Sequence, residues 1–334
     1  MTVPIRAVLP GLALSVLLAV VGTVIGRFVP VLGSAVPGIV LGAVLAAALR
    51  PGARLQPGIG FASKRVLQAS VVLLGTQLSL GAAVRVGVSA LPVMVGTLVV
   101  CLVAAWLLGR LLGIGGGTTT LIGVGTGICG ASAIAATAPV IGAAAAEVAY
   151  AVSTIFLFNI AAVLLFPVVG HLLGMSQASF GLFAGTAVND TSSVVAAATT
   201  YGPVATNHAV VVKLVRTLAI IPITIGLAAM IRRRSSDSTQ ARRGLSGLVT
   251  LVPWFLVGFV IASLFDTVGL IPPAAHPAFA AVSSFLIATA LAAIGLSTDI
   301  AALRRAGWRP LALGGALWVL VSLTSLGLQT AFHL

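Results

Sequence analysis

Charged side chains are scarce in this sequence. Only 7% of its 334 residues are charged and five are acidic, whereas 59% are hydrophobic and the mean hydropathy is +1.20. A soluble domain carries roughly 25% charged residues, because charge coats a surface that faces water. The shortage of charge therefore excludes an ordinary soluble protein and predicts an all-α polytopic membrane protein.

Cysteines and clustered metal ligands are also scarce. The two cysteines, Cys101 and Cys129, both fall in apolar segments, which excludes a disulfide framework. No set of His, Cys and Asp has the spacing of a metal site, and no Ser-His-Asp arrangement or nucleophile elbow is evident. We therefore expect no metal, no cofactor and no enzymatic activity.

Long apolar runs, in contrast, fill the chain, and they lack the period of two that a membrane barrel requires. Runs near 20 residues predict eleven spans. These lie near 9–29, 31–49, 62–81, 90–112, 118–138, 143–170, 179–200, 206–231, 248–270, 278–299 and 310–332. The longest polar stretch, 232–244, is predicted to be a cytoplasmic loop.

The basic residues are distributed unevenly among the predicted loops. With eleven spans and a cytoplasmic amino terminus, fourteen lie inside and two, Arg27 and Arg85, lie outside. This is the positive-inside pattern, so the net charge of +13 reports topology and not nucleic-acid binding. It predicts a multi-pass protein of a bacterial inner membrane with its carboxyl terminus outside, and it also permits contact with anionic lipid headgroups.

Span 5 contains the sequence GTGICG at 125–130, which fits the G-x-G-x-x-G spelling of a dinucleotide-binding turn. That spelling indicates a nucleotide only between a strand and a helix, and an apolar span offers no strand. Two interpretations remain, namely close packing of helices through small residues or a discontinuous helix that turns freed N–H groups toward a substrate. The candidate substrate-binding residues here are Gly125, Thr126, Gly127, Cys129, Gly130 and Ser132.

Span 7 carries an unusual polar run. Its GTAVNDTSSVVA from Gly185 repeats the pattern of GTGICGASAIAA from Gly125 at an offset of 60 residues. An acidic residue at the bilayer centre costs about 3 kcal/mol on insertion scales, so Asp190 is predicted to be functional. The candidate site residues of this run are Asn189, Asp190, Thr191, Ser192 and Ser193.

Span 8 supplies positive charge at a similar depth. Lys213 and Arg216 are three residues apart and share one helix face. At 1.5 Å per residue, both Asp190 and Arg216 lie roughly 15 Å inside their spans, which predicts an Asp190–Arg216 pair. The pair is either a structural ion pair or part of a substrate site. Glu147, predicted near the outer surface, is a candidate proton-coupling group or an interfacial cap.

A second internal sequence similarity, which like the first we call an echo, links residues 71–87, beginning in span 3, to residues 291–307, beginning in span 10. These two spans are predicted to run in opposite directions, as an inverted repeat requires. Spans 5 and 7 are predicted to run in the same direction, so no single scheme accounts for both echoes.

Four motifs, LLGTQLSL, GTGICGASAIAA, GTAVNDTSSVVAAATTYG and VVKLVRTLAIIPI, resemble the YeiH family of bacterial inner-membrane proteins, usually labelled sulfate exporters. The resemblance implies one transporter domain over 1–334. It implies two inverted five-helix repeats, about 31–170 and about 179–332, with broken crossing helices, and one extra helix at about 9–29. The family motif has a His before the acid and often a Gln after it, where this chain has Asn189 and Ser193.

The leading hypothesis is a secondary transporter for a small inorganic or organic anion, with sulfate or an organosulfonate favoured by the resemblance. The alternative is a sodium/proton-type antiporter that uses Asp190. A membrane enzyme or receptor scaffold is disfavoured, because the chain lacks catalytic clusters and a soluble output domain. The expected partners are the anion, a coupling H⁺ or Na⁺, the lipid bilayer and, as an option, a second copy in a homodimer.

Overall fold

A computed structural model of the chain describes residues 5–28, 35–49, 52–234, 254–297 and 308–334, and the regular structure of these ranges is entirely helical. The predicted loop 232–244 lies outside them beyond Arg234, as does the second half of the span 10 echo. The helices are α1 Ile5–Phe28, α2 Ala35–Leu49, α3 Gln56–Phe61, α4 Leu67–Gly75, α5 Leu80–Leu111, α6 Gly116–Gly127, α7 Ala131–Ile141, α8 Ala145–Leu172, α9 Gln177–Ala187, α10 Thr191–Tyr201, α11 Pro203–Thr217, α12 Ile220–Arg234, α13 Trp254–Thr267, α14 His276–Leu296 and α15 Trp308–Phe332. A π-helical segment, Ala62–Val66, joins α3 to α4, and the 3-10 turn Pro273–Ala275 precedes α14.

The helices have the length and composition of a membrane protein. Six in the described ranges are long and apolar enough to cross a bilayer. Large apolar side chains such as Val84, Val88 and Val95 are more than half exposed along α5, a pattern that suits a lipid environment. The prediction of an all-helical polytopic membrane protein is therefore confirmed.

Span 5 is a helical hairpin, not a helix that crosses the molecule. Near the start of α6, the amide N–H of Thr118 donates to Oε1 of Glu147 at 3.2 Å, and Oε2 of Glu147 accepts from the N–H of Ala144 at 2.9 Å. The start of α6 thus lies beside the residues that follow α7. A continuous helix over 116–141 would separate its ends by about 39 Å. We call α6, its turn and α7 hairpin 1.

Span 7 folds back in the same way. The hydroxyl of Tyr201 at the end of α10 donates to the carbonyl of Met175 at 2.6 Å, and its ring stacks on Phe180 at 3.9 Å. Oε1 of Gln177 accepts from the N–H of Val204 at 3.0 Å. The end of α10 therefore lies beside the start of α9, and we call this pair hairpin 2. The prediction that span 5 and span 7 each pass from one face of the molecule to the other is therefore wrong.

The two hairpins enter from opposite faces of the molecule. Helix α8 has 28 residues and is therefore about 42 Å long. It begins at Ala145 beside the open end of hairpin 1 and finishes at Leu172 beside the open end of hairpin 2. We call these the Glu147 face and the Met175 face, and the closed ends of the hairpins meet between them.

This arrangement reverses the predicted direction of α8. Glu147 was predicted near the outer surface, on the side opposite Arg110. In the structure it lies on the same face as the end of α5. Arg309 lies on this face too, because a Cβ built on Gly113, just after α5, would come 3.9 Å from its Nη1. The sequence has no Lys or Arg between Arg110 and Lys213. The charge count therefore cannot distinguish two crossing helices from two hairpins.

Helices outside the hairpin region also approach one another closely. A Cβ built on Gly11 would lie 2.7 Å from the amide nitrogen of Ile59, so α1 and α3 meet backbone to backbone. A separate apolar core joins α4 and α14 to hairpin 2, with Val71 and Ile287 on one side and Val195 on the other.

Candidate functional site

The closed ends of the two hairpins touch at the centre of the molecule. Gly130 closes the turn of hairpin 1 with φ +70° and ψ −129°, and its N–H donates to the carbonyl of Gly125 at 2.9 Å. Only glycine adopts this conformation without strain. A Cβ on Gly130 would lie 3.5 Å from Cβ of Asp190 and 3.3 Å from Ile155, so the glycine also permits the contact between the hairpins.

Asn159 holds the turn of hairpin 2. This side chain comes from the middle of α8 and is 2% exposed. Its Oδ1 accepts from the N–H of Asn189 at 3.1 Å and from the N–H of Asp190 at 3.3 Å. Asn159 was not among the predicted site residues, although a lone amide within an apolar span is a signal that could have identified it.

Lys213 of α11 joins the two hairpins. Its Nζ, on a fully buried side chain, donates to the carbonyl of Ile128 at 2.7 Å and to that of Val188 at 3.0 Å. These residues are the C-caps of α6 and α9, whose carbonyls lack partners within their own helices. A cation at two helix carboxyl ends is favoured by both helix dipoles.

Arg216 binds hairpin 1 one turn further along α11. Its Nε donates to the carbonyl of Gly127 at 2.8 Å, and its Nη2 donates to that of Thr126 at 3.0 Å. The predicted Asp190–Arg216 pair is wrong: within the described ranges, the contact between an acidic and a basic side chain is that of Asp266 with His276. The unsatisfied carbonyls of α6 take the guanidinium instead.

Asp190 caps the start of α10. Its Oδ2 accepts from the N–H of Ser192 at 3.0 Å and from the Ser192 hydroxyl. A carboxylate is favoured there because the first N–H groups of a helix are free and the helix dipole is positive. The acid therefore occupies a place that would also suit an anion.

The remaining predicted residues gather around the same point. Helices α7 and α10 both begin at the hairpin ends, so two positive helix termini converge there. Ser132 in the first turn of α7 is exposed, Thr191 and Ser192 in the first turn of α10 are partly exposed, and Ser193 and Cys129 are buried. Gly125 and Gly127 lie in the wall of hairpin 1 against apolar side chains.

Three polar atoms at the hairpin ends are buried without a hydrogen-bond partner among the described residues. They are Oγ1 of Thr126, Oδ1 of Asn189 and Nη1 of Arg216. Leaving such a group unsatisfied costs about 1–3 kcal/mol, so a bound water or ligand is expected nearby.

Glu147 is the one predicted site residue that lies elsewhere. It caps α8 through Ala144 and α6 through Thr118, at the open end of hairpin 1. Nine residues of α6 separate Thr118 from Gly127, which is a distance of about 14 Å. Its contacts are those of an interfacial cap.

Comparison with known proteins identifies the family. The sequence model described as "Conserved hypothetical protein 698" matches residues 10–314. A UPF0324 membrane protein of Fusobacterium nucleatum is 44% identical over 339 residues, and one of Streptococcus pyogenes serotype M6 is 44% identical over 329 residues. Each comparison covers 96% of this chain and 96% of the relative. No solved structure matches the chain. The chain belongs to the UPF0324 family of YeiH-like membrane proteins.

Proposed function

We propose that this protein is a secondary transporter that binds a small anion, sulfate or an organosulfonate, where the two hairpins meet. The carboxyl ends of α6 and α9 and the carboxylate of Asp190 meet at one point, and the observation that carries the proposal is that four positive features outweigh them there. These are the amino ends of α7 and α10 and the buried cations Lys213 and Arg216. Helix amino ends bind anions through free N–H groups, and Nη1 of Arg216 has no partner there among the described residues.

Asp190 gives the proposed site a means of coupling. Its carboxylate occupies the amino end of α10, so its charge competes with an incoming anion. Protonation removes that charge and frees the N–H of Ser192. The anion and a proton are then carried together in the same direction.

The exposure of equivalent positions supports alternating access. At the offset of 60 residues, Ser132 and Ala135 of α7 correspond to Ser192 and Val195 of α10. Ala135 is exposed, whereas Val195 is fully buried against α2 and α14. We infer that the hairpin ends are open toward the Glu147 face in this conformation and that a second conformation exchanges the two exposures.

The opposed hairpins give the two members of each internal echo opposite directions. Hairpins 1 and 2 enter from opposite faces, and the α4–α5 and α14–α15 segments carry the other echo. We propose nine membrane crossings and two oppositely directed re-entrant hairpins, in place of eleven crossings. The two echoes occur in opposite order in the two halves of the chain, so one simple tandem repeat does not account for both. The Glu147 face is proposed to be cytoplasmic, because it carries Arg110 and Arg309.

Uptake of radiolabelled sulfate and of a sulfonate into proteoliposomes tests the function. Ser132→Phe places a bulky ring at the proposed binding point, and Ser89→Phe makes the same change at an exposed serine of α5. We expect at least about a tenfold loss of uptake for Ser132→Phe and none for Ser89→Phe. Arg216→Ala should also reduce uptake, measured in protein whose thermal unfolding midpoint equals that of the wild type. No wild-type flux of either anion, or equal flux in all variants, would contradict the proposal.

One observation favours the sodium/proton antiporter as a second candidate. Oδ1 of Asn189 is buried without a partner next to the carboxylate of Asp190, and oxygen atoms of this kind bind Na⁺. A pH-sensitive dye in everted vesicles separates the two functions. A sodium-driven signal that Asp190→Asn abolishes favours the antiporter, whereas a sulfate-dependent signal favours the anion transporter.

A further inference from the structure

A groove of about 840 Å³ runs along the outside of the molecule between α5, α6 and α12, apart from the hairpin ends. Its walls are apolar and include Leu102, Ile223, Leu227 and Met230. Glycines in the facing helices, Gly123 and Gly226 among them, give it depth. The groove lies among helices whose outward surfaces are apolar, so its natural contents are hydrocarbon.

The mouth of the groove is positively charged. Arg110 is exposed at the end of α5, and its guanidinium lies 4.3 Å from the ring centre of Trp106. Arginine and tryptophan at a helix end are typical of the headgroup level of a bilayer. Met230 lies on the opposite wall, and three arginines, Arg232, Arg233 and Arg234, follow it in the sequence.

An acid on the same face limits where a phosphate can bind. Glu147 accepts from the N–H groups of Thr118 and Ala144, so the start of α6 already has its negative partner. A phosphate is therefore directed to Arg110 and away from α6. Thr119 and Thr120 line the same end of the groove.

We propose that this groove binds an anionic phospholipid, with one acyl chain along α12 and the phosphate on Arg110. The apolar walls fit an acyl chain, and the basic mouth selects an anionic headgroup over a zwitterionic one, because each nearby Lys or Arg contributes about 1 kcal/mol to such binding. The proposal does not depend on the transport function.

Gly226 allows the groove to be filled without disturbing the fold. A Cβ built on Gly226 meets no atom within 4 Å, so Gly226→Leu projects into empty space in the groove. Gly81 of α5 is also an exposed helical glycine whose Cβ would meet nothing within 4 Å, but it lies outside the groove. Gly81→Leu is therefore the matched control.

Native mass spectrometry of the purified protein with phosphatidylglycerol or phosphatidylcholine tests the proposal. We expect wild type and Gly81→Leu to retain phosphatidylglycerol at least about tenfold more than phosphatidylcholine. Gly226→Leu and Arg110→Gln should lose this preference, and phosphatidylglycerol should no longer raise their thermal unfolding midpoints.

Equal retention of both lipids by the wild type would overturn the proposal, as would unchanged retention of phosphatidylglycerol by Gly226→Leu. A wild-type dimer that Gly226→Leu converts to monomer without loss of lipid would overturn it too, since the groove would then hold a second copy of the chain.

Discussion

Lys213 and Arg216 show why the partners of buried charges are difficult to predict at the scale of the residue. Pairing by charge suggested Asp190 as the partner of Arg216, because only a few acids are available. In the structure both cations bind helix carbonyls, at 2.7–3.0 Å. Interrupted helices create such acceptors, and a sequence does not show where a helix turns back.

Gly130→Ala is expected to destabilise the protein by about 1–3 kcal/mol, because alanine is strained at φ +70° and ψ −129°. The new methyl group would also press on Ile155 and Asp190. The measurement is the free energy of unfolding in detergent. Gly81→Ala is the control, because alanine in a helix should leave the free energy of unfolding unchanged or raise it. Equal stability of the two variants would contradict the assigned role of Gly130.

Asn159→Leu should cost about 1–3 kcal/mol for each of the two N–H groups that lose their acceptor, those of Asn189 and Asp190. Asn207→Leu makes the same chemical change in α11, at a partly buried side chain. Thermal unfolding of both variants measures the difference. A midpoint for Asn159→Leu no lower than that of Asn207→Leu would show that Asn159 does not hold the hairpin.

At the scale of the element, the decisive feature is the turn within spans 5 and 7. The glycines at 125–130 allowed two interpretations, close helix packing or a discontinuous helix, and the polar run at 189–193 was predicted as part of the site. Neither pattern shows whether the chain continues or turns back at these residues. Contacts between residues distant in sequence, such as Thr118 with Glu147, establish the return.

A disulfide tests the return directly. In a chain with Cys101 and Cys129 replaced by serine, Gly117→Cys combined with Glu147→Cys should form a crosslink on mild oxidation, because a Cβ on Gly117 lies 2.8 Å from the side-chain carbon Cδ of Glu147. Loss of reactivity toward a maleimide mass tag reports the crosslink. The pair Gly117→Cys with Leu173→Cys, at opposite ends of α8, should stay reactive. A crossing helix would leave both pairs reactive.

At the scale of the whole molecule, the hairpins change which loops share a side of the membrane. With eleven crossings, the loop before α8 lies outside and the loop after it lies inside. The hairpin arrangement exchanges the two, while the amino and carboxyl termini keep opposite sides.

Labelling of single cysteines in intact cells distinguishes these topologies. In the cysteine-free background, Leu173→Cys should react with a membrane-impermeant maleimide from outside. Ala144→Cys should react only after the membrane is permeabilised. Ala144 precedes α8 and Leu173 follows it, and both residues are exposed. A difference in their solvent exposure therefore cannot explain a difference in labelling. The reverse result would restore the eleven-crossing arrangement.

The sequence by itself determined the solvent, the helical class, the approximate positions of the helices and the polar residues that gather at one point. Apolar runs, sparse charge and costly buried polar groups are local properties of a chain in lipid, so they can be seen without a structure. Only the tertiary structure decided that spans 5 and 7 turn back, that α8 runs from the Glu147 face to the Met175 face, and that Lys213 and Arg216 bind helix ends. These features depend on contacts between distant residues. Between Arg110 and Lys213 the loops contain no Lys or Arg, so they carry no charge signal of direction.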